Sequence, residues 1–419
     1  MATEREIERV SVVGLGYIGL PTAAVIASRG VEVIGVDVIQ AVVDTINKGE
    51  IHIVEPDLDI AVRSAVTDGK LTAYTEPQPA DAFMIAVPTP FKEGHQPDLS
   101  YIEAAARNVA KVLKPGNTVI LESTSPVGAT EQMCQWLAEE RPDLSFPHTD
   151  GEQSDIRIAH CPERVLPGQV LRELVDNDRV IGGMTDACAE AASAVYATFV
   201  QGELVRTDVR TAEMCKLVEN SFRDVNIAFA NELSVICARH GINVWELIEL
   251  ANRHPRVNIL QPGTGVGGHC IAVDPWFIVS QDPKSSRLIR TAREVNEYKP
   301  EWCVKRIKDK LNGARQPVIA CLGLAFKPNV DDFRESPALR VVESLAKESV
   351  AKILVVEPHA NSLPAPLCDL ANVELVDMDA ALESADVTAV LVRHDALAHH
   401  LEGRRLEVGR FLDFVNIFQ

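Results

Sequence analysis

A chain of 419 residues has room for two or three domains, and 46% hydrophobic with 24% charged residues is the composition of an ordinary globular protein. A formal charge of −19 argues against nucleic acid as a partner, because a phosphate backbone would be repelled by most of the surface. The nine cysteines contain no C-x-x-C pair, which speaks against a zinc site or a disulfide framework and for reduced thiols in a cytoplasm.

The first elements are the most informative. Residues 10–13 form an apolar run, Gly14-Leu15-Gly16-Tyr17-Ile18-Gly19 follows, an apolar helical stretch opens at Leu20, and a second run over 33–37 ends in Asp37, eighteen residues beyond Gly19. This is a strand, a glycine turn, a helix and a second strand with an acid at its tip. The glycines permit a tight turn and close backbone approach, the helix N-terminus receives a pyrophosphate, and the carboxylate accepts hydrogen bonds from ribose hydroxyls. The pattern predicts NAD, and Asp37 would repel the 2′-phosphate of NADP. Residues 10–28 also form a nineteen-residue stretch without a charge, nearly enough to span a bilayer. Three glycines and Pro21 interrupt it, and Glu4, Arg5, Glu6, Glu8 and Arg9 before it sum to a negative charge, so neither a membrane span nor a signal peptide is expected.

Next, a short apolar run over 82–87 stops at Pro88-Thr89-Pro90, and another over 118–121 ends in Glu122-Ser123-Thr124-Ser125-Pro126. In an open parallel sheet, ligands lie beyond the carboxyl ends of the strands, so both polar tips belong beside cofactor or substrate. Runs over 155–160 and 179–182 read as further strands closing this domain near residue 200. From Thr211 the period becomes helical, with Met214, Leu217, Val218, Val225, Phe229, Leu233 and Ile236 at helical spacings up to His240-Gly241. Such a helix, roughly 45 Å long, can bridge two domains and pair with a symmetry mate. A third segment begins near Pro317. It has a strand over 318–323, the turn Leu324-Ala325-Phe326-Lys327, a helix over 337–348, a strand over 352–356 capped by Glu357-Pro358, and a strand over 387–392. It echoes the first unit without the full glycine fingerprint. The predicted fold is therefore α/β, with two Rossmann-like doubly wound domains joined by a long central helix. Residues 1–205 bind NAD, 206–305 form a central helical, dimerisation and catalytic-loop domain, and 315–419 form the second Rossmann-like domain.

Between these units, Gly263-Thr264-Gly265-Val266-Gly267-Gly268-His269-Cys270 is a glycine-rich loop delivering a cysteine, with Asp274 four residues on. Taken alone, it fits either a flexible loop with a packed thiol or a nucleophile. Lys216 and Asn220 share a helix face, where solvation is the plainer explanation. His269 reads as structural.

Together these segments resemble the UDP-sugar 6-dehydrogenases, the UDP-glucose/GDP-mannose dehydrogenase family, over essentially the whole chain. The resemblance rests on the first glycine turn, Ser123-Thr124-Ser125-Pro126-Val127-Gly128, Cys161-Pro162-Glu163, Glu213-Met214-Cys215-Lys216-Leu217-Val218-Glu219-Asn220, the loop ending in Cys270, and Leu324-Ala325-Phe326-Lys327-Pro328 with Arg334-Glu335-Ser336-Pro337. The segments 49–57, 220–232 and 252–263, and the absence of a lysine from Ile271-Ala272-Val273, are similar to the N-acetylhexosamine branch rather than the glucose one.

The resemblance implies oxidation of a primary alcohol to a carboxylate with two NAD. Cys270 adds to the intermediate aldehyde to form a thiohemiacetal and then a thioester. It further implies that Lys216 and Asn220 stabilise oxyanions, that Asp274 takes part in deprotonation, and that Glu163 and Thr124 position the hydrolytic water. Gly14, Gly16, Tyr17, Ile18, Gly19, Asp37, Thr89, Thr124 and Arg334 would hold the cofactor. The UDP-sugar would be held by Glu163, Arg164, Lys216, Asn220, Arg256, Gly267, Phe326 and Lys327, with Arg256 reaching across a homodimer contact and no metal involved. A cytoplasmic enzyme of bacterial surface-polysaccharide synthesis is implied. UDP-glucose and UDP-N-acetylglucosamine stand as alternative substrates. A two-electron hydroxyacid-type dehydrogenase and a non-catalytic NAD-binding regulator are readings from other classes.

Overall fold

The computed structural model describes residues 7–166, 168–268, 270–311, 315–348, 351–404 and 409–418. The chain divides into two compact units, Met1–Val218 and Glu219–Gln419.

The first unit is built on eight strands: β1 (Arg9–Val13), β2 (Glu32–Val36), β3 (Leu71–Tyr74), β4 (Ala82–Ile85), β5 (Thr118–Leu121), β6 (Arg157–His160), β7 (Arg179–Gly183) and β8 (Leu204–Asp208). Their order is β3-β2-β1-β4-β5-β6-β7-β8, parallel except for the antiparallel β6/β7 pair. β4 and β5 are buried at every position, which is why they read as unbroken apolar runs. Successive residues serve opposite faces: Ala82 and Met84 enter one core cluster, Phe83 and Ile85 the other. Two strands of this sheet escaped the sequence reading. β3 alternates buried and exposed positions, and β8 has no buried position; both lie at sheet edges, where no apolar run is required. The sheet therefore continues to Asp208, past the expected boundary at 205.

The uncharged stretch 10–28 is divided between β1, the glycine turn and the ten-residue helix Gly19–Ser28. Among the described residues no helix is long and apolar enough to cross a membrane. The register sets Val13 opposite Val36 and Ile85, Ile85 opposite Leu121, and Leu121 opposite His160. The carboxyl ends of β1, β2, β4, β5 and β6 are thereby level, and the glycine turn, Asp37, Thr89, Thr124 and Glu163 follow them along one edge.

The predicted long helix runs over Val209–His240 and ends at Gly241, whose φ of +66° is the left-handed conformation that stops a helix. The boundary between the units falls within it. In the second unit, the helices Val244–Ala251, Asp274–Gln281 and Arg287–Leu311 precede five strands: β9 (Val318–Leu322), β10 (Lys352–Val356), β11 (Val373–Leu375), β12 (Val387–Val390) and β13 (Phe411–Asp413). All neighbours are parallel in the order β11-β10-β9-β12-β13. The order reverses beside β9, so the second sheet is doubly wound like the first. Ile319 and Cys321 face one core cluster, Ala320 and Leu322 the other. Arg287–Leu311 left no helical apolar signature because Arg293, Asn296 and Lys299 are among its buried positions.

Candidate active site

In the first unit the three glycines have different tasks. Gly14 has φ +93°, and a Cβ there would lie 2.5 Å from the Ala86 carbonyl oxygen. A Cβ on Gly19 would lie 1.8 Å from the Gly14 oxygen, so helix and turn touch backbone to backbone. Gly16 has no heavy atom within 4 Å of its missing Cβ and leaves open space before the helix, whose start carries no side-chain cap. Asp37 accepts from Leu15 N–H at 3.1 Å and from Ile39 N–H at 3.0 Å, one bond to each oxygen, so both oxygens keep acceptor capacity. An uncapped helix start, a glycine cradle and a carboxylate with spare lone pairs fit a dinucleotide. Tyr17 is exposed, and Ile18, Thr89 and Thr124 are half-buried around this edge. Ser123 Oγ donates to the Val87 carbonyl at 2.7 Å, joining the tips of β4 and β5.

Glu213 was passed over at the sequence level as part of a motif. Its buried carboxylate accepts from Gly128 N–H (2.6 Å), Thr130 N–H (2.8 Å) and Thr130 Oγ (2.6 Å), fastening the turn after Thr124 to the helix segment that carries half-buried Lys216. Glu163 is buried too. It accepts from Arg179 Nη1 at 2.9 Å and from Arg164 N–H at 2.5 Å. Burial alone would lower the Arg179 pKa, but neighbouring anionic groups, Glu163 foremost, hold it above the usual range. Beside this pair Tyr196 donates to Glu122 at 2.6 Å, and burial, reinforced by the charge of Glu163, pushes the Glu122 carboxyl up to about 7. Burial pushes His160 down to about 3, so it is neutral.

In the second unit the expected chemistry is partly assembled. Asn220 Nδ2 donates to Asp274 Oδ2 at 2.5 Å, with both residues buried. Asp274 N–H donates to the Cys270 carbonyl at 2.9 Å, so half-buried Cys270 and Asp274 are held one turn apart. Lys216 is one helical turn before Asn220 but belongs to the first unit with Thr124 and Glu163. His269 lies outside the described residues.

The glycine loop is anchored by polar residues that the sequence reading missed. Gly263 N–H donates to Asn231 Oδ1 (2.9 Å), Asn231 donates to Asn296 (2.9 Å), Asn296 donates to Asp224 Oδ1 (2.8 Å), and Arg293 donates to the same oxygen (2.7 Å). Gly267 serves close packing: a Cβ would lie 2.4 Å from the Glu335 oxygen. Arg256 is exposed, on a loop closed by the reciprocal Asn252–Ile259 bonds. Arg334 is engaged with Asp332, Nη2 to Oδ2 at 2.6 Å.

A cleft of about 440 Å³ opens beyond the carboxyl ends of β9, β12 and β13, between residues 261–265, 326–328, 391–393 and 415–416. Lys327 and Arg393 bring two cations to its lining, and Phe326 a ring with Lys327 Nζ 5.5 Å from its centroid. Two cations lining one cleft are what an anionic ligand of a −19 chain would require. Arg393 was not anticipated, because one arginine after an apolar run carries no motif. Among the described residues no three His, Cys, Asp or Glu side chains are grouped to hold a metal.

Comparison with known proteins gives three consecutive matches to family models. They are the NAD binding domain of the UDP-glucose/GDP-mannose dehydrogenase family over residues 8–200, its central domain over 210–298, and its UDP binding domain over 320–419. The chain is 66% identical to the UDP-N-acetyl-D-mannosamine dehydrogenase of Campylobacter jejuni, over 93% of this chain and 96% of that protein. It is 65% identical to the NDP-N-acetyl-D-galactosaminuronic acid dehydrogenase of Ralstonia nicotianae (94% and 92%). The solved UDP-D-ManNAc dehydrogenase of Pyrococcus horikoshii superposes with a TM-score of 0.85 at 38% identity (98% and 96%).

Proposed function

This chain belongs to the UDP-glucose/GDP-mannose dehydrogenase family and is an NAD-dependent dehydrogenase; we propose that its substrate is UDP-N-acetyl-D-mannosamine, oxidised at C6 to the uronate. The observation that carries the chemistry is the Asn220–Asp274 bond closed one turn after Cys270. NAD, when bound at the glycine turn, supplies the hydride acceptor for each of two oxidations. The residues supply the rest. Asp274 accepts the hydroxyl proton through water, and Lys216 with Asn220 stabilises the alkoxide. The Cys270 thiolate adds to the aldehyde carbon and gives a tetrahedral carbon still bearing a hydrogen, without which no second hydride could leave. The resulting thioester is opened by water positioned by Glu163 and Thr124, releasing the carboxylate and the thiol. Arg179, bonded to Glu163, sets that carboxylate's orientation.

Two features support this substrate class: the cationic cleft, which suits the UDP diphosphate, and the near-complete overlap with relatives acting on N-acetylhexosamine nucleotides. The relative named for galactosaminuronic acid makes UDP-N-acetylgalactosamine the second reading. A division into three domains, with the first boundary moved from 205 to after Asp208, is supported by separate family matches over 8–200, 210–298 and 320–419. A homodimer through the long helix is supported by Met214, Val218, Phe222, Phe229 and Ile236, exposed apolar residues at helical spacings on it. A cytoplasmic site suits cysteines that, among the described residues, form no disulfide, and surface-polysaccharide synthesis suits a uronate product.

The deciding experiment offers UDP-N-acetylmannosamine, UDP-N-acetylgalactosamine, UDP-N-acetylglucosamine and UDP-glucose with NAD and counts NADH per sugar consumed. Two NADH and the highest kcat/KM on the mannosamine nucleotide are expected. A higher kcat/KM on another sugar reassigns the substrate, and one NADH per sugar restores the two-electron reading.

A further inference from the structure

Residues 326–328 form one wall of the cleft and residues 391–393 another, and neither lies within a helix or strand. What holds them is a buried pair behind the cleft. Glu357, at the tip of β10, accepts from Leu324 N–H (2.6 Å) and Ala325 N–H (3.2 Å), fixing the chain just before Phe326. His394, directly after the second wall, meets Glu357 Oε2 through Nε2 at 3.2 Å and Asn329 N through Nδ1 at 3.0 Å. A backbone N–H only donates, so Nδ1 is the acceptor and the ring proton resides on Nε2, donated to Glu357. Asn329 has φ +58° and returns two bonds to the next residue: its Nδ2 donates to Asp395 Oδ2 (2.7 Å), and its Oδ1 accepts from Asp395 N–H (2.9 Å). The segment Phe326-Lys327-Pro328 is thus pinned before by Glu357 and after by Asn329, and His394, wholly buried, touches both pins.

We propose that His394, as the Nε2–H tautomer, is a positioning residue for the nucleotide diphosphate: it holds the Phe326–Lys327 wall against the 391–393 wall so that Lys327 and Arg393 face one ligand. The proposal rests on the reading of this cleft as the UDP site. It assigns His394 no contact with substrate and no part in proton transfer, so its removal acts on KM for the UDP-sugar and leaves the NAD site alone.

The two nitrogens can be tested separately. His394→Asn keeps an acceptor near the place of Nδ1 for Asn329, whereas His394→Gln keeps a donor near the place of Nε2 for Glu357 and loses that acceptor. Titration of each full-length variant with UDP alone, and separately with NAD, is expected to show UDP binding weakened about tenfold in His394→Gln. His394→Asn should weaken it no more than about threefold, and NAD affinity should be unchanged in both. UDP affinity within twofold of wild type in a folded His394→Gln would overturn the proposal. If that buried substitution prevents folding, exposed Asn329→Asp takes its place by setting a carboxylate against Asp395. Several-fold weaker UDP binding at an unchanged melting temperature supports the pin, and unchanged UDP binding refutes it. Wild-type protein that binds NAD but not UDP would remove the underlying reading of the cleft, a failure distinct from that of His394.

Discussion

Asp37 and Glu357 occupy the same position in two separate sheets. Asp37 Oδ2 accepts the N–H of Leu15 after Gly14 (φ +93°), and Glu357 Oε2 accepts the N–H of Leu324 after Gly323 (φ +90°). In each case the glycine N–H bonds the last residue of the neighbouring strand, Val36 or Val356, at 2.8 Å. The two acids differ in what is left over. Asp37 is half-buried with one bond per oxygen, whereas Glu357 also receives Ala325, His359 and His394 and is buried. One backbone turn therefore ends in a carboxylate with spare acceptor capacity in the first unit and in a structural pin in the second.

It follows that Asp37→Ala should weaken NAD binding about tenfold and narrow the preference over NADP, since the ribose bonds and the repulsion of a 2′-phosphate go together. Calorimetry should give one NAD per chain. Equal use of NAD and NADP by wild type would contradict the role of Asp37.

The buried Glu122 carboxyl makes a pH signature. Its folded pKa is raised to about 7 by burial, with the Glu163 charge second, while an unfolded Glu titrates near 4.5. The folded state thus holds a proton that the unfolded state has lost, and stability falls as pH rises from about 4.5 towards 7. Glu122→Gln should remove that slope and gain roughly 1–3 kcal/mol at pH 8 relative to wild type. Melting curves between pH 5 and pH 8 measure it, and parallel curves for the two proteins would show that Glu122 is ionised throughout.

Cys270→Ala should retain UDP binding but not produce two NADH per sugar, because nothing adds to the aldehyde. Cys270→Ser should stall after the first hydride or leave a slowly hydrolysed ester, a hydroxyl being the weaker nucleophile and the poorer leaving group. Two NADH per sugar at wild-type rate from the alanine variant would return Cys270 to the role of a packed thiol. Stopped-flow NADH absorbance with product mass spectrometry separates these outcomes.

If the proposed homodimer forms through the long helix, aspartate at Val225 and Phe229 should place unpaired charge in that contact and leave the protein monomeric. Sedimentation at micromolar concentration reads the result. Sedimentation of wild type as a monomer would leave the apolar stripe without its partner.

Spacing alone marked the glycine turn, Asp37 and the long helix, because each depends on local chemistry, whereas the glycine-rich loop before Cys270 was visible in the sequence but acquired a role only through the family resemblance. A positive φ, a helix period and an acid at a strand tip are all properties of consecutive residues. The doubly wound fold was equally legible where strands buried on both faces must read as apolar runs. Folding decided the rest. Edge strands such as β3 and β8 need no such run, and the helix Arg287–Leu311 turns Arg293, Asn296 and Lys299 inward, against the usual pattern. Arg179 with Glu163, Asn231 with Gly263, and His394 with Glu357 and Asn329 are pairs whose members lie 16 to 65 residues apart. A buried polar group requires a partner, but no periodicity in the chain tells which distant group will supply it. That is settled only when the tertiary structure removes both from water.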